Sequence, residues 1–191
     1  MMRRNLFICL LLVCSIIPLT AAVDLMMSGE NDATSGLLQN TVKENNTSAE
    51  RVSDMVKFVQ EAVAYARDHG KEKALAEFSD RNGSFFRKDL YIYAYDFNGT
   101  TLAHPLQTEL IGKSRLNETD ANNEFFIRNL RDAAQNGSGF VVFHYVNPAH
   151  NNSVEKKLGY VEAVDDTWWL GSGLYGEDVT IPKEITWNTP A

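Results

Sequence analysis

Residues 90–104 read LYIYAYDFNGTTLAH, and this stretch decides the fold. In its first half, Tyr91, Tyr93 and Tyr95 alternate with apolar residues, which is the period of a strand whose two faces differ. Phe97-Asn98-Gly99 is a turn signal, and the residues after it are again strand-like. The stretch therefore predicts a β-hairpin that carries three phenol groups on one face of its first strand.

Further strand-like runs follow the hairpin. They lie at 139–147, 157–165 and 168–175, and the apolar spacing of 124–135 predicts a helix ahead of them. Strands joined by tight turns indicate an antiparallel sheet. The predicted fold class is therefore α+β, with a sheet of about five strands.

A long amphipathic helix is predicted before the hairpin. Thr47-Ser48-Ala49-Glu50 has the pattern of a capping box, and apolar residues then recur at helical spacing as far as Asp68-His69-Gly70. Gly70 suits a left-handed cap, and a short helix over 71–78 follows it. The residues predicted to be buried are Val52, Met55, Val56, Val59, Val63, Ile92, Val142 and Val161.

The N-terminus has the features of a secretory signal peptide. Arginines precede an apolar run from Leu6 to Leu19, and small residues end it at Ala21-Ala22. Residues 1–22 are thus predicted as a cleaved signal, with an uncleaved N-terminal anchor as the alternative, since the run is at the lower limit of what spans a bilayer. In both cases we expect the rest of the chain to be extracytoplasmic, either secreted or tethered to the outer face of the cell membrane.

The remaining chain divides into three predicted parts. Residues 23–46 are polar and aperiodic, and they are predicted as a flexible leader. Residues 47–176 form the domain, and 177–191 form a short tail.

Asn-x-Ser/Thr sequons are more frequent than composition predicts. The chain has seven of them, against about two expected by chance. We interpret them as N-glycosylation candidates on an exported protein, although turn chemistry alone is an alternative source of Asn-Gly pairs. The candidates are Asn45, Asn46, Asn82, Asn98, Asn117, Asn136 and Asn151.

Composition and motif spacing argue against several classes of function. A net charge of −7 disfavours nucleic acid as a partner, because such proteins need a basic face. Cys9 and Cys14 lie within the apolar N-terminal run, which disfavours a disulfide scaffold or a zinc site. The four histidines lack metal-ligand spacing. The motifs Gly137-Ser138-Gly139 and Gly171-Ser172-Gly173 lack the spacing of a serine nucleophile motif, and they indicate turns or close strand contacts instead. We therefore predict no catalytic residues, no metal and no other cofactor.

Short motifs in a fixed order carry a resemblance to a known family. They are YIYAYDFNG at 91–99, LAHP at 102–105, IGK at 111–113, DANNEF at 120–125, GSG at 137–139, NP at 147–148, KLGYV at 157–161 and WWLGSGLY at 168–175. In these motifs, residues 78–175 resemble the single Cache domain, type 2, the extracytoplasmic sensor module of many chemoreceptors and histidine kinases. The resemblance implies a long N-terminal helix packed on a PAS-like antiparallel sheet. It also implies binding of small organic acids such as acetate, pyruvate or lactate.

The aromatic strands predict a small-molecule pocket, because aromatic walls with a few convergent donors are usual in such sites. Lys157 is the expected charged partner of an acid, since its position matches the lysine of the family's Lys-x-x-Tyr motif. Trp168 is expected to form an apolar wall. The predicted ligand-binding residues are Tyr91, Tyr93, His104, Tyr145, Lys157, Tyr160 and Trp168.

Three hypotheses of function follow. In the first, an exported, non-enzymatic domain binds a small organic acid and either hands a signal to a membrane receptor or kinase partner or acts as a binding protein. In the second, a surface or adhesion protein uses the same scaffold with no small-molecule ligand. An enzyme ranks third, and contact with a membrane is expected only through an uncleaved N-terminus.

Overall fold

The computed structural model describes residues 31–87 and 89–181, with side chains from Ser48 onward. The helices of these residues are α1 (Asn31–His69), α2 (Lys71–Ser79) and α3 (Phe126–Gln135), with 3-10 helices at Thr108–Leu110 and Pro148–His150. The strands are β1 (Phe86–Arg87), β2 (Leu90–Tyr91), β3 (Tyr93–Asp96), β4 (Thr101–Ala103), β5 (Ser138–Asn147), β6 (Ser153–Ala163) and β7 (Trp168–Tyr175).

The chain divides into two units, residues 1–40 and 41–191. Of the first unit, the structure describes only residues 31–40, which are helical. Apart from the first residues of α1, all features below belong to the second unit.

The main sheet has five antiparallel strands in the order β4-β3-β7-β6-β5, and β1 and β2 form a separate two-stranded ribbon. The α+β class and the predicted sheet of about five strands are therefore confirmed. The hairpin predicted at Asn98-Gly99 joins β3 to β4, and Gly99 has a φ of 75°, which suits the turn.

The two faces of the sheet are covered by different helices. On the face that we call the α1 face, residues such as Ile92, Leu158 and Leu170 share one core with the apolar stripes of α1 and α2. On the opposite face, which we call the α3 face, Tyr91, Tyr93 and Tyr95 form a second core with helix α3. The residues that α3 contributes to this core are Phe126, Ile127, Leu130 and Ala134. The predicted separation of phenols from aliphatic residues is thus confirmed.

Helix α1 has the predicted stripe and the predicted end. Val52, Met55 and Val59 are fully buried, and the helix ends at His69, followed by Gly70 with a φ of 82°. Its start differs, because the described helix already begins at Asn31 and runs through the predicted capping box. Once a helix is nucleated on a core, each added residue gains a hydrogen bond, and residues 31–46 contain no proline to stop it.

The predicted leader is accordingly helical over 31–46, while residues 1–30 lie outside the described part of the chain. The Ser48 hydroxyl does not cap the helix but donates to the carbonyl of Asp178 at 3.0 Å. Val179 is fully buried, so the predicted tail begins as part of the core. Residues 182–191 lie outside the described part.

The prediction that Val142 is buried is wrong. Val142 is 48% exposed, although it pairs in register with Leu158, which is fully buried on the α1 face. Val142 lies on β5, the edge strand of the sheet, and the helices do not cover it there. Val56 is half-buried, and the other predicted core residues are buried.

Within the described residues, no helix combines the length and the apolarity needed to cross a membrane.

Candidate ligand-binding site

A small cavity of about 20 Å³ lies between the α3 face of the sheet and helix α3. It is lined by Tyr91, Tyr93, Tyr95, His104, Arg115, Phe126, Ile127, Leu130, Phe143, Tyr145 and Lys157. The predicted ligand-binding residues that line it are Tyr91, Tyr93, His104, Tyr145 and Lys157. None of the lining residues is an acid. Of the two lining cations, Arg115 is paired with Glu118, which is not part of the lining, and Lys157 has no such partner among the described residues.

Lys157 is the charged centre of the cavity. It is only 1% exposed, and its Nζ donates to the hydroxyl of Tyr91 at 2.9 Å and to that of Tyr175 at 3.3 Å. The rings of Tyr91, Tyr93, Tyr145 and Tyr175 lie with their centroids between 4.4 and 5.8 Å from Nζ, within the range of cation–π attraction. Among the described residues, no carboxylate forms an ion pair with this ammonium group.

A glycine on the neighbouring strand makes room for this side chain. Gly173 on β7 lies beside Lys157, and a Cβ atom at Gly173 would overlap Cε of the lysine. Gly171 is also crowded, by the carbonyl of Tyr160 and the side chain of Val161. The interpretation of Gly171-Ser172-Gly173 as a close strand contact is confirmed.

His104 is a neutral hydrogen-bond donor in this site. Its Nδ1 accepts the backbone N–H groups of Leu106 and Gln107 at 3.3 and 3.0 Å, so the ring proton lies on Nε2. Burial, helped by the charges of Lys157 and Arg115, lowers the pKa of His104 to about 3. The Nε2–H group forms no hydrogen bond with the described residues. It is not fully enclosed, because the enclosed side-chain atoms without a partner among these residues are Thr101 Oγ1 and Trp169 Nε1.

Arg115 is the second cation, and the sequence analysis missed it. Its Nη1 donates to the hydroxyl of Tyr95 at 2.8 Å, its Nη2 to that of Tyr145 at 3.1 Å, and its Nε to Glu118 at 2.8 Å. Burial alone would lower the pKa of Arg115. The hydrogen bond to Glu118 and the nearby phenols outweigh this effect and raise the pKa above its usual value, so the guanidinium stays charged. Arg115 lies between β4 and α3, in a segment without strand or helix periodicity, and no motif indicated that it folds back onto the sheet.

The phenols stay protonated at neutral pH. Burial raises the pKa of Tyr145 to about 12, and it also raises the pKa values of Tyr93 and Tyr95. Tyr145 donates to Oε1 of Gln107 at 2.7 Å, and Tyr93 donates to the carbonyl of Ser172 at 3.2 Å. The hydroxyl of Tyr91 accepts from Nζ of Lys157 at 2.9 Å.

The placement of Tyr160 and Trp168 in this pocket is wrong. Both belong to the core on the α1 face. Side chains of a strand alternate between faces, so Tyr160, three residues after Lys157, faces the opposite way. Trp168 likewise precedes Trp169, which stacks on Tyr95 on the α3 face with ring centroids 5.0 Å apart.

The sequence also missed the walls of the cavity. The sequence pattern predicts Tyr95 only as a third phenol, and it predicts 124–135, which contains Phe126 and Leu130, only as a helix. Which face of a short helix meets a sheet depends on the loop before it, and the sequence does not show this geometry. In that loop, Asn123 has a φ of 62°, in the left-handed region that Asn tolerates better than most residues.

Five of the seven sequons fall on described side chains, and all five asparagines are exposed: Asn82, Asn98, Asn117, Asn136 and Asn151. The side chains of Asn45 and Asn46 lie outside the described part. Glycosylation stays a prediction. In the described part of the chain, no group of three His, Cys, Asp or Glu side chains is arranged to hold a metal ion.

Comparison with known proteins identifies the family. The family model described as single Cache domain 2 matches residues 37–188. The sensor histidine kinase MctS of Rhizobium johnstonii is 30% identical over 95 residues, which are 49% of this chain and 20% of that protein. The chain therefore spans about one fifth of that curated relative.

Solved structures show the same fold. A methyl-accepting chemotaxis protein from Vibrio parahaemolyticus matches with a TM-score of 0.63 and 27% identity, covering 73% of this chain and 98% of that one. A periplasmic sensor domain of a chemotaxis protein matches with a TM-score of 0.53 and 22% identity, covering 71% of this chain and 96% of that one. A Cache chemosensory domain whose structure describes carboxylic acid recognition matches with a TM-score of 0.50 and 21% identity, covering 74% of this chain and 97% of that one. The resemblance stated from the motifs is confirmed.

Proposed function

Because the chain belongs to the single Cache domain 2 family, we propose that it is a sensory domain that binds a short carboxylic acid in the cavity around Lys157, without catalysis. The observation that carries this proposal is the ammonium group of Lys157. It is buried, and its two hydrogen-bond partners, Tyr91 and Tyr175, offer hydroxyl groups and no carboxylate. A buried charge is stable only when it is paired or well hydrogen-bonded, and a carboxylate would supply the missing counter-charge.

The hydrogen-bond donors beside Lys157 support an anionic ligand. The rings of Tyr91 and His104 lie with centroids 5.2 Å apart, and Nζ of Lys157 lies 4.6 Å from the centroid of Tyr91. The third N–H of Lys157 and the Nε2–H of His104 form no hydrogen bond with the described residues, and both residues line the cavity. A ligand there must bring acceptors, and a carboxylate has two oxygens that accept about four hydrogen bonds.

The size of the cavity favours a short acid. A cavity of about 20 Å³ holds little more than one water-sized sphere. Acetate already needs more room than one such sphere, so any acid must move some of the lining side chains. A longer acid must move more of them, since Tyr93, Phe143 and Leu130 close around Gly159. The solved Cache domain that recognises a carboxylic acid supports the same class of ligand.

The second candidate is a surface or adhesion protein whose cavity binds no ligand. The four tyrosine rings around Nζ favour it, because cation–π attraction partly compensates the charge without any ligand. The two candidates make opposite predictions for the response to small acids.

A thermal-shift screen separates them. Acetate, propionate, pyruvate and lactate are compared with hexanoate, which exceeds the cavity, and with acetamide, which matches acetate in size but is uncharged. An acid at 100 times its Kd adds about 2.7 kcal/mol, which raises the Tm by about 5–10 °C. No shift with any short acid at millimolar concentration would favour the second candidate.

We also propose that the domain is exported and passes its signal to a membrane receptor or kinase partner. The exposed sequons and the family's receptors and kinases support this proposal. Pull-down of the glycosylated native protein with and without acetate, followed by mass spectrometry of membrane proteins, tests it. A partner whose recovery does not depend on acetate would count against signalling through the cavity.

A further inference from the structure

Tyr175 touches both the cavity and the far end of the domain. Its hydroxyl accepts from Nζ of Lys157 at 3.3 Å and donates to the carbonyl of Val146 at 2.7 Å. It is the last residue of β7, and its own carbonyl accepts from Nη2 of Arg51 on α1 at 3.3 Å. One residue therefore contacts the buried lysine with its side chain and the long helix with its backbone.

The residues after Tyr175 are held by the same part of α1. We call Gly176–Ile181 the C-terminal segment. Arg51 forms an ion pair with Asp178 at 3.4 Å, and the Ser48 hydroxyl donates to the carbonyl of Asp178. The backbone N–H of Gly176 donates to the carbonyl of Lys156 at 3.2 Å, and that of Val179 to Gly176 at 3.4 Å.

We propose that Tyr175 couples occupancy of the Lys157 cavity to the C-terminal segment and, through Arg51, to helix α1. The ligand is the short carboxylate of the proposed function. The part of this inference that concerns the ligand-bound state therefore rests on the proposed function. Of the two bonds donated by Nζ, the one to Tyr175 is the longer, at 3.3 against 2.9 Å for Tyr91. A carboxylate that draws the ammonium group toward itself weakens that bond first, and the phenol, then held only by its bond to Val146, shifts the end of β7.

This coupling is testable without any ligand, by hydrogen exchange of the Gly176 and Val179 amides. Lys157→Met removes the bond that the Tyr175 hydroxyl accepts and leaves its bond to the carbonyl of Val146, and we expect these amides to exchange about fivefold faster, the effect of one lost hydrogen bond. In a Tyr175→Phe background, Lys157→Met should change their exchange no further. Tyr175→Phe removes one oxygen atom and keeps the ring, so it replaces Lys157→Met if that variant folds poorly. Because Tyr175→Phe also loses the bond to Val146, it should give at least the same increase.

Matched arginines on α1 provide the control. Arg51 and Arg67 both donate to carbonyls at strand ends, but Arg67 bonds Val164 and Ala163 at the opposite end of the sheet. Arg51→Gln should speed exchange at Gly176 and Val179, and Arg67→Gln should leave both amides unchanged. Equal effects of the two variants would overturn the coupling, because they would indicate general loosening.

Acetate is the probe for the effect of cavity occupancy on the C-terminal segment. In the wild type, acetate should speed exchange of the two amides, while Tyr175→Phe should bind acetate within about fivefold of the wild-type Kd and show no acetate-dependent change. Binding without a change in exchange, or a change that persists in Tyr175→Phe, would overturn the coupling. Failure of acetate and its short homologues to bind would refute the proposed function, and the ligand-free variants would still decide the coupling.

Discussion

Lys157 reaches the cavity because a neighbouring residue has no side chain. Its aliphatic stem lies against Gly173 on β7, and its ammonium group is thereby held between Tyr91 and Tyr175. His104 is fixed in a similar way, since two backbone N–H groups hold its Nδ1 and turn its Nε2–H away from them. At the residue scale, the site is thus set by close packing and by backbone hydrogen bonds.

Gly173→Ala should displace Lys157 and weaken carboxylate binding. The new Cβ atom would overlap Cε of Lys157, so the stem must move and its bonds to the phenols must lengthen. We expect the Kd for a short acid to rise about tenfold, which corresponds to one lost charge-assisted hydrogen bond. Gly139→Ala is the matched control, because its Cβ would crowd Ala133 of α3 and not the lysine. Equal losses in both variants, measured by calorimetry, would contradict this account of Gly173.

His104 should make the domain sensitive to acid. Burial, together with the charges of Lys157 and Arg115, lowers its pKa from 6.5 to about 3, so between these values the unfolded chain binds a proton that the folded chain does not. Stability therefore falls as the pH falls. Between pH 6 and pH 4, we expect the wild type to lose about 2 kcal/mol more free energy of unfolding than His104→Gln does.

Urea unfolding at several pH values measures this difference. His69→Gln, at an exposed position on α1, should follow the wild-type curve. Parallel curves for the wild type and His104→Gln would show that the histidine is not held neutral by the fold.

At the scale of elements, alternation along strands and the apolar stripe of α1 could be predicted from the sequence. Tyr91, Tyr93 and Tyr95 lie on one face as expected, and the helix ends where His69-Gly70 indicates. Alternation also explains the errors, because Tyr160 lies an odd number of residues from Lys157 and was still assigned to its face. The missing parts, Arg115 and the walls from α3, depend on how an irregular loop folds back, and no local pattern determines that.

The packing of α1 on the sheet gives a direct test at this scale. Val59 is fully buried, and Val59→Asp would place an unpaired carboxylate in the core, which should cost more than about 4 kcal/mol and unfold the domain. Gln60→Asp introduces the same group at the next, exposed position and should leave the Tm nearly unchanged. A Val59→Asp protein that melted like the wild type would mean that α1 does not pack in this way.

At the scale of the whole molecule, the exposed sequons bear on where the protein resides. The five described sequon asparagines are exposed and lie outside the set of cavity-lining residues, so glycans there would leave the binding site free. Protein purified from its native host should begin near Val23 and be heavier than its sequence mass. Intact-mass spectrometry with N-terminal sequencing would measure both, and a chain that starts at Met1 with its bare sequence mass would contradict export with glycosylation.

The measurement that tests the central claim most directly is calorimetric titration of a short acid into the wild type, Lys157→Met and Lys156→Met. Methionine keeps the apolar stem of either lysine. Lys157 faces the cavity, whereas Lys156 lies on the opposite face of β6, with its Nζ donating to the carbonyl of Glu177 at 3.0 Å. A charge-assisted hydrogen bond contributes about 1.5–3 kcal/mol, so Lys157→Met should weaken binding roughly 10- to 150-fold and Lys156→Met should have little effect. Equal losses in the two variants, or no loss in either, would contradict a carboxylate site at Lys157.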